Sequence, residues 1–146
     1  MTADQLCLLA AGLFFLTGLL TGLWKYRGMA TSADATAPVY VDIAHRASLM
    51  YSFAAILLRE FVPYSPLGPV GTLWAVGAPL LFFALAISIY ILHGLLRDTD
   101  NQLRQPHRLG QGTLPGVLIH GFMVLLAVAE IGGFGVLLYG FLVSVL

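Results

Sequence analysis

The sequence predicts an all-α polytopic membrane protein, a bundle of four transmembrane helices that forms one domain over residues 1–146. Of its residues, 59% are hydrophobic and only 10% are charged, whereas soluble domains carry about 25% charged residues. Four apolar stretches each reach the roughly 20 residues that a helix needs to cross the hydrocarbon core. They lack the period-two alternation of barrel strands, and only helices or closed barrels satisfy the backbone in lipid.

The four spans are predicted, in chain order, at Gln5–Trp24, Val39–Glu60, Thr72–Leu96 and Leu114–Leu146. The first connection, Tyr26–Pro38, contains mainly small and polar residues. Its last residue, Pro38, suits the start of a helix. Three prolines make the second connection, Val62–Gly71, a stiff turn. The third, Arg97–Thr113, is polar and basic. No connection is long enough to divide the chain into two domains.

The basic residues are distributed unevenly, although the formal net charge is zero. Only Arg59 lies at the edge of the second connection. The others lie beside the first and third connections: Lys25, Arg27, Arg46, Arg97, Arg104 and Arg108. By the positive-inside rule, we expect an integral protein of the inner (cell) membrane with these connections in the cytoplasm and both termini outside. The basic residues follow the first apolar run, so we expect that run to be retained and not cleaved as a signal peptide. We expect the lipid bilayer as a partner and no nucleic acid.

Small residues indicate where helices approach closely. The first span contains Gly18-x-x-x-Gly22, a spacing that lets two backbones come together. The second half of the last span carries four glycines: Gly132, Gly133, Gly135 and Gly140. They serve packing within one chain, or a subunit interface with room for a flat ligand. A bundle of this size encloses little volume, so a macrocycle would fit between protomers, which favours a homo-oligomer.

The four histidines lie at or near one predicted edge of the bundle: His45, His93, His107 and His120. Imidazole is costly in a bilayer unless it binds something. Asp42 precedes His45 by three residues and shares its helix face, so its carboxylate can accept a ring N–H and orient a metal-binding imidazole. The alternative is an interfacial histidine without a metal.

The other histidines have similar alternatives. Tyr90, His93 and Arg97 form one stripe, either an interfacial belt with a snorkelling arginine or a pocket hydroxyl beside a ligand or proton donor. Gly116 and Gly121 flank His120 and leave room for a planar cofactor or for a close helix contact. His107 follows a proline and is expected at the surface or at a pocket rim.

Two further side chains lie within the apolar spans. Glu130 is either a neutral acid bonded across helices or part of a proton relay, since a charged carboxylate near the bilayer centre costs roughly 2.5–3.5 kcal/mol. Cys7 is the only cysteine, which excludes an internal disulfide. Its apolar surroundings predict inert packing.

These residues favour haem b over zinc. The histidines stand on separate helices, without the short pair spacing of zinc motifs, and no C-x-x-C-H haem attachment site is present. A b haem needs one or two axial imidazoles, an apolar slot and cations for its propionates. His45, with His93 or His120, supplies the imidazoles. The cations are Arg46, Arg97, Arg104 and Arg108.

Three runs of the chain, TGLLTGLWKY, YVDIAHRASLMY and IYILHGLLRDTDNQLRQPHRLG, resemble the styrene oxide isomerases in the same order. That family consists of trimeric four-helix membrane proteins that hold haem b between subunits. The resemblance implies that His45 is the axial iron ligand and that Tyr90 or Ile91 occupies the position of the pocket tyrosine. Six residues after the histidine the family has an asparagine on the substrate side, where this chain has Tyr51.

The resemblance also implies an activity, the conversion of an apolar aryl epoxide to an aldehyde with no net redox change. Ferric iron would be the Lewis acid, and a 1,2-hydride shift would complete the rearrangement. Tyr90 or Tyr51 would orient the epoxide in a dry slot. The alternatives are a b-type cytochrome subunit that exchanges electrons with quinol, using two of the imidazoles, and a non-catalytic membrane subunit.

Overall fold

A computed structural model describes all 146 residues. The four helices are α1 (Ala3–Thr31), α2 (Val39–Phe61), α3 (Pro69–Leu96) and α4 (Gly116–Val145). A 3-10 helix at Val62–Tyr64 follows α2, and a small hairpin of β1 (Arg108–Leu109) and β2 (Gly112–Thr113) precedes α4. All four α-helices are long and apolar enough to cross a membrane. The predicted fold class, an all-α bundle of four such helices, is confirmed.

The helix ends follow the local sequence. Helix α1 begins with a capping box, in which the Thr2 hydroxyl accepts from the Gln5 amide and the Gln5 side chain accepts from the Thr2 amide. It continues through Lys25 to Thr31, well beyond the predicted end at Trp24, because the basic residues that end the apolar run are themselves good helix formers. Helix α3 starts at Pro69, where the missing N–H costs nothing.

Glycines bring the helices together within the chain. A Cβ at Gly18 would lie 2.6 Å from Leu49 Cδ2 of α2, so α1 and α2 approach at this face. In α4, a Cβ at Gly133 would overlap the Ala75 carbonyl of α3, and one at Gly140 would overlap the Tyr64 carbonyl. These glycines therefore serve packing within one chain.

The core lies between α1, α2 and α3, while α4 is attached at one side. Cys7 is fully buried there, as predicted for inert packing. In α4 only Leu137 and Gly140 are buried, and its outward face carries exposed apolar side chains such as Val117 and Ile131. At one edge of the bundle, Arg59 bonds Asp4 at 2.7 Å.

The third connection is an ordered cap, which the sequence did not predict beyond its polarity. Gly110 adopts a positive φ of 59° at the turn between β1 and β2, a conformation that glycine reaches without strain. Its amide donates to Asp98, and the Gln102 amide donates to the Tyr40 hydroxyl of α2. The polar residues therefore bind one another and the end of the bundle.

Candidate functional site

The His45 imidazole is oriented by the backbone of α1. Its Nδ1 lies 2.8 Å from the Gly18 carbonyl oxygen, and since a carbonyl only accepts, Nδ1 carries the hydrogen. In the neutral ring, Nε2 then holds the lone pair, and it has no hydrogen-bond partner in the chain. A histidine that donates one ring N–H to a carbonyl is oriented in the way typical of metal-binding histidines.

Gly22 forms the surface on which this ring rests. A Cβ at position 22 would lie 2.8 Å from His45 Cε1 and 3.0 Å from Nδ1, closer than side chains pack. The motif Gly18-x-x-x-Gly22 therefore has two functions, since one glycine supplies the carbonyl and the other leaves the space. The sequence singled out both glycines but did not connect them to the histidine.

The predicted bond between Asp42 and His45 is wrong. The Asp42 carboxylate instead binds Lys25 Nζ at 2.6 Å and the Arg46 guanidinium at 2.7 Å. Two cations outcompete a neutral ring N–H for a carboxylate, and the extension of α1 beyond Trp24 brings Lys25 within reach. Asp42 therefore fixes two cations at the end of α2, one turn from His45.

A second group of polar residues lies between α2, α3 and α4. Tyr51 stacks on Phe83, with ring centres 4.2 Å apart. Tyr51 of α2, Tyr90 of α3 and Glu130 of α4 lie near one another in this region. The Glu130 Oε1 atom is buried and has no hydrogen-bond partner. The sequence identified Tyr51, Tyr90 and Glu130 singly, but not that residues of three helices lie near one another here.

His93, near the end of α3, binds the cap. Its Nδ1 lies 2.8 Å from Asp98 Oδ1, and the two side chains are 5% and 3% exposed. The His93 ring also packs on Tyr40, with ring centres 4.9 Å apart. Burial would raise the pKa of the Asp98 carboxyl, but the hydrogen bonds from His93 and the Gly110 amide outweigh it, so this pKa lies below its usual value.

The remaining predicted residues are not gathered around His45. Arg97 is exposed and ends α3 in a left-handed conformation with φ 51°, its amide bonded to the His93 carbonyl. His120 lies on the exposed side of α4. His107 was predicted at the surface or at a pocket rim. It is instead 4% exposed, because the hairpin folds it inward beside His120.

The candidate iron ligand and the candidate catalytic tyrosines occupy different faces of the bundle. His45 and Tyr51 are six residues apart on α2, and at about 100° per residue their side chains diverge by about 120°. His45 contacts α1 through Gly18, whereas Tyr51 contacts α3 through Phe83. One chain therefore does not place them on a common face.

The residues around His45 fit a b haem. They offer one oriented imidazole nitrogen and the cations Lys25 and Arg46 nearby. No cluster of three or more His, Cys, Asp or Glu side chains is present that would hold a metal ion, so a zinc site with a full set of ligands from one chain is absent. The donor set suits a metal that brings its other ligands with it.

Comparison of this chain with protein-family models, with curated proteins and with solved structures finds no match.

We expect Gly22→Ala to impair the orientation of His45 while Gly12→Ala leaves it unchanged. A Cβ at Gly22 meets the imidazole, whereas a Cβ at Gly12 meets nothing within 4 Å. Both variants make the same exchange in α1, so differences in helix propensity cancel. The readout is the haem content of the purified variants, and we expect at least a tenfold loss for Gly22→Ala alone. Equal haem content in the two variants would contradict the role of Gly22.

Proposed function

We propose that this protein is a haem-b-dependent membrane isomerase that opens an apolar aryl epoxide to an aldehyde. The observation that supports this most directly is the His45 imidazole, which donates Nδ1–H to Gly18, rests on Gly22 and keeps Nε2 without a partner. The chain does not enclose this Nε2 atom, so a ligand can reach its lone pair. An iron ion would bind at this atom.

His45 would hold the haem iron through Nε2. Arg46 follows it in sequence and Lys25 shares the Asp42 carboxylate with Arg46, so both cations are placed to pair with haem propionates. When bound, ferric haem supplies a Lewis acid for the epoxide oxygen. Asp42 contributes indirectly, since it holds Lys25 and Arg46 in place.

Tyr51, Tyr90 and Glu130 would bind and orient the substrate. A phenol hydroxyl donates a hydrogen bond to an epoxide oxygen, while Phe83 stacks on Tyr51 and holds that phenol ring in place. The unpartnered Glu130 Oε1 can accept a hydrogen bond from a phenol and so fix its direction. Apolar helices around these residues exclude water, which would otherwise convert a developing benzylic cation to a diol.

The separation of His45 from Tyr51 on α2 supports an assembled site, in which haem held by one copy faces the tyrosines of another. This agrees with the homotrimer that the family resemblance implies. In the membrane we place the basic connections in the cytoplasm and both termini outside, in the inner membrane. The substrate is a hydrophobic small molecule that enters from the lipid.

The test is the optical spectrum of the purified protein together with a product assay. We expect a Soret band, a pyridine haemochrome of the b type, and a ferric spectrum typical of five-coordinate or water-ligated iron. We also expect an aryl epoxide to be converted to its aldehyde without added reductant. A low-spin bis-histidine spectrum would overturn the isomerase in favour of a quinol-linked cytochrome. Absence of a Soret band would favour a non-catalytic subunit.

The same assay tests the role of Tyr51. Exchange of Tyr51 for Asn should leave the haem content unchanged, because this side chain points away from His45, but should alter the relative rates for several epoxides. The matched control is Tyr139→Asn, since Tyr139 is an exposed tyrosine of α4. An unchanged rate profile in the Tyr51 variant would remove this residue from the substrate site.

A further inference from the structure

His107 has a buried nitrogen without a partner. The residue is 4% exposed, and its Nδ1 lies 3.1 Å from the Gln102 carbonyl oxygen, to which it donates. Its Nε2 atom is buried and makes no hydrogen bond. Because Nδ1 carries the hydrogen, Nε2 of the neutral ring holds an unshared lone pair. Such an atom is costly to bury unless something binds it.

A second imidazole stands beside this ring. The rings of His107 and His120 are centred 5.8 Å apart and nearly perpendicular, at 82°. Two imidazoles that share a tetrahedral ion, with each nitrogen about 2.0–2.1 Å from it, have ring centres about 5 Å apart. The observed distance is close to that value, and His120 is the exposed ring of the two, so it is the one that would turn toward a shared ion.

The residue of α4 that faces the two rings carries no side chain. Gly116 opens α4 one turn before His120, and a Cβ at this position would lie 3.5 Å from His107 Nε2 and 3.9 Å from His120 Cδ2. The glycine therefore faces both rings. His120 is exposed, so water can complete the coordination sphere on the outer side.

We propose that His107 and His120 form a second metal site, which binds a divalent transition-metal ion such as Zn²⁺ at the junction of the hairpin and α4. Neutral imidazole is a preferred ligand of Zn²⁺, Cu²⁺ and Ni²⁺, and no carboxylate bonds either ring. The two rings belong to different segments, the cap and α4. A bound ion would therefore fasten the cap to the helix.

This site is distinct from the proposed haem site. His45 contacts α1 through the Gly18 carbonyl, whereas His107 is bonded to the Gln102 carbonyl in the cap. The two sites share no residue, so they can be tested separately.

The experiment is equilibrium dialysis of the full-length protein against Zn²⁺. The protein is purified through a tag that contains no histidine and is first treated with a chelator. We expect one Zn²⁺ per wild-type chain and at least tenfold weaker binding by His120→Ala, since even loss of an outer partner of a metal ligand costs about 10–100-fold in affinity. His120 is exposed, so this exchange should not impair folding. His45→Ala is the matched control and should bind Zn²⁺ like the wild type.

Cu²⁺ provides a second measurement on the same protein. Its electron paramagnetic resonance spectrum should display coupling to two imidazole nitrogens in the wild type and to one in His120→Ala or His107→Ala. Equal Zn²⁺ affinity in His120→Ala and the wild type would overturn the proposal, as would the absence of Zn²⁺ binding in the wild type. Loss of Zn²⁺ binding in His45→Ala would also overturn it, by moving the ion to His45.

Discussion

Replacing His45 by alanine should remove haem from the protein almost completely while the helix bundle stays folded. The exchange deletes the Nε2 atom that is proposed to bind iron. The His45 ring of α2 is half-buried against α1 and makes one hydrogen bond, to the Gly18 carbonyl. That carbonyl keeps a second partner, the Thr21 hydroxyl at 3.1 Å, so no backbone acceptor is left without a bond. The ratio of pyridine haemochrome to protein measures the loss.

His120→Ala is the control for this prediction. This variant also lacks one imidazole, but the one removed lies on the exposed side of α4. We expect the haem content of His120→Ala to equal that of the wild type. Full haem occupancy in His45→Ala would refute the assignment of the ligand. Haem loss in His120→Ala alone would assign the iron ligand to His120 of α4 instead.

The second large effect is expected from replacing Asp98, which bonds the cap to α3, and it concerns the free energy of unfolding. Asp98→Ala removes the acceptor of both the His93 ring and the Gly110 amide. This loss leaves the buried His93 ring N–H and the Gly110 amide without an acceptor, and an unsatisfied buried donor costs about 1–3 kcal/mol. We expect the free energy of unfolding to fall by about 3 kcal/mol, measured by denaturant titration in detergent micelles.

Asp100→Ala is a matched control because it removes the same charge two residues away. Asp100 pairs with Arg104 at 2.9 Å, but the two side chains are 56% and 66% exposed. An exposed pair contributes about 0–1 kcal/mol, so the free energy of unfolding should barely change. A similar loss in both variants would mean that the buried pair has no special role.

The pH dependence of stability follows from the same carboxyl group. The pKa of Asp98 is lower in the folded protein than its usual value. Its ionised form therefore stabilises the fold above the pKa of about 3.9 expected in the unfolded chain, and this contribution is lost as the pH falls below that value. Asp98→Ala should reduce the loss of stability on acidification below about pH 4. An identical acid dependence in the variant would contradict the role of this carboxylate.

Hydropathy alone determined the fold class of this protein. The four spans are recognisable because their solvent is lipid, and a helix in lipid needs only length and an apolar surface. The start of α2 at Val39 and the end of α3 at Leu96 agree with the predicted boundaries. The end of α1 does not, because hydropathy marks where the apolar run ends and not where the helix ends.

The sequence also identified the residues with chemical capacity: His45, His93, His120, Tyr51, Tyr90, Glu130 and the Gly18-x-x-x-Gly22 face. It did not identify their partners. Asp42 was expected to bond His45 because both lie on one helix face, yet Lys25 from another helix binds it instead. His107 was expected at the surface or at a pocket rim because it lies in a connection after a proline, yet the hairpin buries it.

Tertiary structure decided these contacts because spacing along the chain describes one helix at a time. Which residue of a neighbouring helix meets a side chain depends on helix rotation, crossing and depth, and glycines such as Gly22 set the distance of approach. When most faces of a helix are apolar, its hydropathy pattern does not indicate which face turns toward a neighbouring helix. The sequence by itself therefore determined that four helices are long and apolar enough to cross a membrane and which polar groups they carry. The packing of those helices decided which polar groups meet.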